Sequence, residues 1–161
     1  MNKAVFLDRD GVINYDPDDY IYKMEEFRFL DNILPIAKEV TKRGYMIVVI
    51  TNQGGMDKKR FDGEDVERIH THIEKAFAEN GSPISEIYYC PHHSDLQKCL
   101  CRKPDSLMEE RALAKYNIDP SQSYFIGDKP RDIVCAEKAG VTGIKIDVNI
   151  VDLNILDKIK S

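Results

Sequence analysis

The chain has 161 residues, 42% of them hydrophobic and 32% charged, which excludes a disordered or low-complexity chain and fits one globular domain over residues 1–161. Its net charge of -5 argues against a general binder of nucleic acid or of anionic membranes, so a site for a phosphorylated small molecule would have to be local. Because the amino-terminal residues lack the apolar core of a signal peptide, and the longest apolar run, "MIVVI", is too short to cross a bilayer, we expect a cytoplasmic protein.

Strands and helices alternate along the sequence. Apolar, often β-branched runs predict strands, and apolar residues at helical spacing predict helices; Asp31 is the expected cap of the first helix. We expect strands over residues 4–7, 45–51, 84–89, 123–126 and 143–146, and helices over 31–43, 63–79, 105–116 and 131–139. This alternation predicts an α/β fold with a doubly wound, Rossmann-like, mainly parallel sheet, and ligands that bind beyond the carboxyl ends of the strands. Residues 11–30 should fold over that edge, and no segment is long enough for a separate cap domain.

Acidic side chains follow two of the predicted strands. Asp8 and Asp10 come directly after "AVFL", while Asp128 follows "SYFIG" and Asp132 comes one helical turn later. An Asp-x-Asp-Gly stretch alone is weak evidence, because acids and glycine make ordinary turns. Acids gathered at one sheet edge repel one another unless a cation lies between them, and oxygen ligands suit Mg²⁺. The sequence therefore predicts magnesium as a cofactor.

Donors for a phosphate group are predicted at the same edge. They are the Thr51 hydroxyl, the amides of "TNQGG" and the Lys103 ammonium. In this arrangement Asp8 can attack phosphorus in line while Lys103 and Mg²⁺ neutralise the developing charge. Asp10 would protonate the departing oxygen and would then take a proton from the water that hydrolyses the aspartyl phosphate. The pattern indicates a phosphate monoester hydrolase.

These residues resemble the four ordered motifs of the haloacid-dehalogenase-like phosphatases. The matching stretches are "LDRDGV", "VITNQ", "RKP" and "GDKPRD", and together they span most of the chain. The resemblance implies that Asp8 is the nucleophile and Asp10 the general acid/base. It implies Mg²⁺ ligation by Asp8, by Asp10 through its carbonyl and by Asp128, with Asp132 supporting the metal site through water or Lys103. Thr51 and Lys103 would hold the phosphoryl group.

Three of the four cysteines lie in the stretch "YYCPHHSDLQKCLCRKP". Cys90, His92, Cys99 and Cys101 supply four ligands, enough for a closed tetrahedral Zn²⁺ site that would be structural. Their spacing is tighter than that of the usual Cys-x-x-Cys pair, so free thiols stay open as an alternative. A disulfide is a weaker alternative, because Cys99 and Cys101 are too close in sequence to bridge easily with each other.

The cysteine-rich stretch is similar to the zinc loop of two subfamilies, the D-glycero-D-manno-heptose 1,7-bisphosphate phosphatases and the histidinol-phosphate phosphatases. The stretches "YYCPHH" and "GDK" favour the heptose group, whereas the six residues between His92 and Cys99 are closer to the spacing of the histidinol group. Gly54-Gly55 and the stretch "MDKKRF" also depart from the heptose pattern. The resemblance implies a small phosphorylated metabolite as partner, bound by Asp16, Tyr20, Thr51, Asn52, Gln53, Gly54, Arg102, Lys103 and Lys129.

A signalling protein of a different class shares several of these sequence features. A phospho-accepting receiver-type signalling domain also has paired acids, Mg²⁺, Thr and Lys on a parallel sheet, but the second predicted strand ends in Thr51 and Asn52 without an acid. His70 and His72 are expected to be exposed, and Cys135 to be a buried small apolar side chain. The loop at residues 57–60 could be a solvated loop or a contact for a second phosphate. A monomer is expected, since no long apolar surface helix is evident.

Overall fold

One sheet contains five strands: β1 (Ala4–Leu7), β2 (Met46–Asn52), β3 (Ile84–Cys90), β4 (Tyr124–Gly127) and β5 (Thr142–Lys145). The structure is a computed structural model and describes all 161 residues. All neighbouring strands are parallel, and their order across the sheet is β3-β2-β1-β4-β5. The parallel sheet predicted from the alternating pattern is confirmed.

Four helices cover both faces of the sheet: α1 (Ile33–Lys42), α2 (Gly63–Glu79), α3 (Leu107–Lys115) and α4 (Pro130–Ala139). The apolar faces of α1 and α2 belong to one core cluster, and those of α3 and α4 belong to a second cluster on the other face. Helices on both faces of a parallel sheet define the doubly wound architecture. No helix is long and apolar enough to span a membrane.

Strand β1 shows why the strands of a parallel sheet covered on both faces appear in the sequence as uninterrupted apolar stretches. Val5 and Leu7 pack into the first cluster, whereas Ala4 and Phe6 pack into the second. Successive side chains of a strand point to opposite faces, and here both faces are covered by helices. Every residue of β1 is therefore buried.

Several element boundaries differ from the sequence prediction. Helix α2 matches residue for residue, with Asp62 and Asp65 forming a reciprocal capping box at its start. Helix α1 begins at Ile33 rather than at Asp31, because Asn32 adopts a left-handed conformation with φ of 74° and its side chain donates to the Val151 carbonyl. Helix α3 begins two residues later than predicted.

The chain reverses its direction of winding at β1. From β1 the chain moves outward to β2 and β3, and then returns to β4 on the other side of β1. The connections after β1 and β4 therefore diverge and leave a crevice at the carboxyl edge, where ligands bind in doubly wound folds. Residues 8–32, which join β1 to α1, contain no α-helix or β-strand and cover part of this crevice.

Candidate active site and metal centres

Lys103 and Asp8 form a buried ion pair at the carboxyl edge of the sheet. The Lys103 ammonium is 2.9 Å from Asp8 Oδ1, 2.7 Å from Asp132 Oδ1 and 2.9 Å from the Ile50 carbonyl oxygen. Burial lowers the pKa of Lys103, but Asp8 and Asp132 outweigh it and leave that pKa above its ordinary value. Lys103 is therefore a fixed cation beneath the site.

Asp8 presents one carboxylate oxygen that is engaged and one that is not. Its Oδ1 accepts hydrogen bonds from the Arg9 amide at 2.8 Å and from Lys103, and neither bond involves Oδ2. Burial raises the pKa of Asp8 well above its ordinary value, Lys103 lowers it, and the carboxylates of Asp132 and Asp128 raise it further. A second cation close to Asp8 would act with Lys103 to favour its ionised form.

Asp10 is held in place by four donors. Its Oδ1 is 3.0 Å from Arg9 Nη2 and 3.2 Å from Arg9 Nε, and it accepts from Asn14 Nδ2 at 3.1 Å, while its Oδ2 accepts from Gln53 Nε2 at 3.0 Å. Asp10 nevertheless stays about one quarter exposed, at 27% of its side chain. Its carboxylate is thus oriented by buried groups but still reaches the cavity.

Gln53 differs from the sequence expectation of a substrate contact. Its side chain is buried and also donates to Thr51 Oγ1 at 3.0 Å, and its backbone amide donates to the Cys90 carbonyl. The side-chain amide and the backbone amide of Gln53 both have protein acceptors. Gln53 therefore links Asp10 to Thr51 instead of facing a ligand.

The end of β2 is fastened to the segment that carries Lys103. Asn52 Oδ1 accepts from the Lys103 amide at 3.0 Å, and Asn52 Nδ2 donates to the Lys103 carbonyl at 3.2 Å. This two-point contact joins the "TNQ" and "RKP" stretches and sets Lys103 next to Thr51. The sequence gives no local signal for this contact, because Asn52 and Lys103 are 51 residues apart along the chain.

Three buried carboxylates lie close enough together to hold a cation. One oxygen each from Asp8, Asp128 and Asp132 lies within 4.8 Å of the others. Both Asp128 oxygens are buried without a hydrogen-bond donor, and the nearest cation, Lys129 Nζ, is 3.4 Å from Oδ2, beyond the usual 2.7–2.9 Å of a charged hydrogen bond. Buried carboxylate oxygens without donors are costly unless a metal satisfies them, so this donor set fits Mg²⁺.

Gly11 allows the loop after β1 to approach Asp128. Its φ is +85°, and a Cβ at this position would lie 2.5 Å from Asp128 Oδ2. Only glycine satisfies both conditions, since other residues rarely adopt this conformation and a Cβ would collide with the carboxylate. The Asp-x-Asp-Gly pattern thus serves the approach of the two strand ends to each other.

Asp132 supports the cluster from behind. Its Oδ2 accepts from the Lys129 amide at 3.0 Å at the start of α4, and its Oδ1 contacts Lys103. A Cβ at Gly127 would lie 2.3 Å from the Cβ of Asp132, so glycine there permits this close approach. Asp132 consequently contacts Lys103 directly, in keeping with the supporting position expected for it.

The four predicted zinc ligands converge. Their ligand atoms all lie within 4.8 Å of one another. His92 Nδ1 is 3.4 Å from Cys90 Sγ and 3.3 Å from Cys101 Sγ, and Cys90 Sγ is 3.7 Å from Cys99 Sγ. Tetrahedral Zn²⁺ with normal bond lengths needs edges of about 3.5–3.8 Å; the 2.8 Å between Cys90 and Cys101 is shorter than such an edge. All four cysteines are free thiols, and the cluster could hold zinc.

The cysteine loop contacts both Arg102 and the loop at residues 57–60. Arg102 Nη1 donates to the His92 carbonyl at 3.1 Å. Asp57 accepts from the His93 amide at 2.9 Å and from Gln97 Nε2 at 2.8 Å. The loop therefore orients Arg102 and also anchors the loop at residues 57–60.

A cavity of about 450 Å³ opens above Asp10. Four of its ten lining residues are acids and four are cations, so it suits a polar ligand that carries negative groups as well as hydroxyls. The lining residues are Asp10, Asp16, Asp18, Asp19, Tyr20, Asn52, Lys58, Arg60, Lys129 and Arg131.

The expected substrate residues divide into two groups around this cavity. Asp16, Tyr20, Asn52 and Lys129 line it, whereas Thr51, Gly54, Arg102 and Lys103 do not. Arg131 was not anticipated by the sequence analysis. Asn149 was missed as well: it pairs with the backbone of Asp16 through two hydrogen bonds of 2.7 and 2.8 Å and so holds the cavity rim.

The expectation for His70 is wrong, while that for Cys135 is confirmed. His70 is only 3% exposed and lies against Arg9, because it shares the apolar face of α2 with Val66 and Ile73. His72 is exposed, as expected. Cys135 is fully buried and contacts the buried carboxyl of Glu109.

Comparison with known proteins shows the family to which the chain belongs. The HAD-hydrolase-like family profile matches residues 100–152. The D-glycero-β-D-manno-heptose-1,7-bisphosphate 7-phosphatase of Haemophilus influenzae is 38% identical over 156 residues, covering 94% of this chain and 82% of the relative. The D-glycero-α-D-manno-heptose-1,7-bisphosphate 7-phosphatase of Campylobacter jejuni is also 38% identical, over 91% of this chain and 83% of the relative.

A solved structure agrees with these relatives. The D,D-heptose 1,7-bisphosphate phosphatase of B. bronchiseptica, complexed with magnesium and phosphate, matches with a TM-score of 0.82 and 32% identity, over 89% of this chain and 79% of that one. Fold, site and relatives define the chain as a haloacid-dehalogenase-like phosphatase. More narrowly, it belongs to the family of the heptose-1,7-bisphosphate 7-phosphatases, which removes the receiver-type reading.

Proposed function

We propose that this protein hydrolyses the C7 phosphate of D-glycero-D-manno-heptose 1,7-bisphosphate through an aspartyl-phosphate intermediate. The observation that carries the proposal is the buried Asp8–Lys103 pair with Asp10 two residues away at the cavity. The relatives are named for the β and for the α anomer at similar identity. The proposal therefore concerns the C7 ester, which both anomers share.

Asp8 is the proposed nucleophile. Its Oδ2 takes part in no hydrogen bond, so it is the oxygen that can attack phosphorus while Lys103 and the Arg9 amide hold Oδ1. The bond from Asp8 to phosphorus forms as the bond to the sugar oxygen breaks. Asp10, oriented but still exposed, donates the proton that the sugar oxygen needs and later accepts one from the attacking water.

Asp8, the Asp10 carbonyl and Asp128 are the proposed Mg²⁺ ligands. The Asp10 carbonyl accepts no backbone hydrogen bond, and both Asp128 oxygens lack donors. When bound there, Mg²⁺ would supply positive charge that keeps Asp8 ionised and neutralises the phosphoryl oxygens. Zn²⁺ is proposed at Cys90, His92, Cys99 and Cys101, as a structural ion in a site with no open position.

Thr51 and Lys103 are proposed to hold the phosphoryl group. The Lys103 ammonium is fixed next to Asp8, and the Thr51 hydroxyl stands at the end of the adjacent strand β2. The backbone amide of Gly54 donates to no other backbone group, which makes it a further donor. Fixed donors stabilise charge on the phosphoryl oxygens in the transition state without having to reorganise.

The rest of the substrate is proposed to occupy the cavity. Lys58, Arg60, Lys129 and Arg131 provide cations for the second phosphate, and Asp16 and Tyr20 border the sugar. Arg102, which donates to the His92 carbonyl of the zinc loop, lines a neighbouring cavity that shares Arg131 with this one. Arg60 is paired with Asp19 and Lys129 with Asp128, whereas Lys58 and Arg131 have no carboxylate partner. These two unpaired cations favour a bisphosphate over histidinol phosphate.

The test is hydrolysis of heptose 1,7-bisphosphate with Mg²⁺, followed by phosphorus NMR. The C7 ester signal should disappear while the C1 phosphate remains. Asp8→Asn should be inactive, and Asp10→Asn should lose about 100-fold or more in kcat, the usual contribution of general acid–base catalysis. Full turnover by Asp8→Asn, or release of the C1 phosphate first, would contradict the proposal.

We propose in addition that the enzyme is monomeric and cytoplasmic. Light scattering on the eluted peak of a size-exclusion column tests the first point. Fractionation of cells that express the protein tests the second.

A further inference from the structure

The side chain of Arg9 is the largest fully buried side chain in the molecule, at 1% exposed, and Arg9 stands between the two active-site acids in the sequence. A buried guanidinium must find partners for its N–H groups, because unsatisfied buried donors are costly. Arg9 Nε and Nη2 contact Asp10 Oδ1, and Nη2 also donates to the Ile21 carbonyl at 2.7 Å. The remaining nitrogen, Nη1, has one side-chain partner, His70 Nε2 at 3.4 Å.

His70 can serve this contact only in one form. Because Arg9 always donates, Nε2 must be the acceptor, so the imidazole is neutral with its proton on Nδ1. Burial, followed by the charge of Arg9, lowers the pKa of His70 to about 3, whereas Asp10 raises it. The ring packs edge-on against Tyr89 with centroids 5.6 Å apart, which fixes its plane. His70 is thus a neutral acceptor at every working pH.

The two carboxylate oxygens of Asp10 differ in the number of donors that they contact. Oδ1 contacts both Arg9 nitrogens and Asn14 Nδ2, and these three donors leave little capacity for a further proton. Oδ2 has a single donor, Gln53 Nε2. The proton that Asp10 exchanges with the substrate must therefore reside on Oδ2, and Arg9 decides which oxygen faces the cavity.

We propose that His70 is a positioning residue for catalysis: it holds Arg9, and through Arg9 it turns Asp10 so that Oδ2 carries the transferable proton. This inference rests on the proposed role of Asp10 as general acid/base. His70 does not touch the substrate, since it lies behind Arg9 and away from the cavity lining.

The test uses two leaving groups. An alkyl phosphate needs a proton on its departing oxygen, whereas p-nitrophenyl phosphate does not, so only the alkyl ester depends on Asp10 in the first step. His70→Leu should lower kcat for the alkyl phosphate by about 10-fold or more, with KM changed less than about threefold. With p-nitrophenyl phosphate, it should release a burst of one nitrophenol per site, because the second step still needs Asp10.

Matched variants separate positioning from packing. His70→Gln offers an amide oxygen to Arg9 and should recover most of the lost activity. His72→Leu, two residues along the same helix but exposed, should behave as the wild type. An equal loss on both esters without a burst, or no rescue by His70→Gln at unchanged Tm, would overturn the inference.

A measurement on the wild-type protein keeps the inference testable if His70→Leu fails to fold. Nitrogen-15 NMR of the histidine rings should show His70 neutral with its proton on Nδ1 between pH 5 and 8. A proton on Nε2, or titration in this range, would overturn the positioning role and leave the proposed function intact. Wild type that does not hydrolyse heptose 1,7-bisphosphate, or an active Asp8→Asn variant, would instead contradict the proposed function.

Discussion

The ammonium of Lys103 lies 2.9 Å from Asp8 Oδ1, and both side chains are almost fully buried, at 1% and 8% exposure. The same ammonium is 2.7 Å from Asp132 Oδ1, so one cation stands between two carboxylates. Separating such a pair from water is costly for each ion, and the pair is stable only as a unit. The active site and the stability of the fold therefore depend on the same lysine.

Replacing Lys103 by Met should destroy activity and also weaken the fold. Two buried carboxylates would lose their cation, and breaking such a pair costs about 3–5 kcal/mol. The loss in the free energy of unfolding should be largest at neutral pH without added Mg²⁺ and smaller at low pH, where Asp8 is protonated. Urea unfolding at the two pH values measures it, and Lys75→Met on the exposed face of α2 is the control.

Zinc should be present at one ion per chain and should matter for both substrate binding and turnover. Loss of zinc releases the His92 carbonyl that holds Arg102, and it loosens the segment that carries Lys103. We expect KM to rise and kcat to fall by up to about 100-fold, as for a misplaced catalytic group. Elemental analysis and steady-state kinetics of Cys99→Ser test this.

The matched control for the zinc prediction is Cys135→Ala. Cys135 lies on α4, its thiol donates to the carboxyl of Glu109 on α3, and it is not one of the four clustered ligands. This variant should keep one zinc per chain. A Cys99→Ser protein that has lost zinc but keeps wild-type KM and kcat would show that the loop does not position Arg102 and Lys103.

The loop at residues 57–60 should recognise the second phosphate. Lys58 and Arg60 line the cavity, whereas Lys59 between them does not. Lys58→Ala and Arg60→Ala should each raise KM for heptose 1,7-bisphosphate by about 10-fold, the size of one charge-assisted hydrogen bond. They should leave a monophosphate ester unaffected, and Lys59→Ala should leave both substrates unaffected. Equal effects of all three variants would mean that the loop contributes only general charge.

Glu109 should make the stability of the protein depend on pH. It is fully buried beside Cys135, and burial raises its pKa from 4.5 to about 8, against the lowering effects of Cys135 and Lys103. Between these values the folded chain holds a proton that the unfolded chain releases, so stability falls as pH rises through this window and levels off above about 8.

Replacing Glu109 by Gln removes this titration. The Tm of the Glu109→Gln variant should exceed that of the wild type by a small amount at pH 5. This difference should grow by up to about 3 °C per pH unit towards pH 8. Glu110→Gln, at the neighbouring exposed position, should show no such trend. A constant difference between Glu109→Gln and wild type would mean that Glu109 is ionised throughout.

Local signals account for what the sequence predicted well. The bounds of helix α2 agree with the prediction because the signals at its two ends are local: Asp62 and Asp65 cap its start, and Asn80 and Gly81 follow its last residue. The acids after β1 and β4 were found because polar groups after buried strands stand out. The start of α1 was misplaced because its cap, Asn32, bonds to Val151, more than a hundred residues away.

The support behind the site was harder to predict for the same reason. Arg9 reads as an ordinary charged residue, and only the fold shows that it is buried against Asp10, Ile21 and His70. One signal was available: His70 stands four residues after Val66 and three before Ile73, on the apolar stripe of α2. Nothing local marked Asn149, whose partner Asp16 lies near the other end of the chain.

The most direct test of the proposed function is the ratio of kcat/KM for heptose 1,7-bisphosphate and for histidinol phosphate, measured with Mg²⁺ on the zinc-loaded enzyme. The free cations at the cavity, Lys58 and Arg131, and the family predict a preference of a hundredfold or more for the bisphosphate, about 2.7 kcal/mol in transition-state binding. Equal values, or a preference for histidinol phosphate, would contradict the assignment of this substrate.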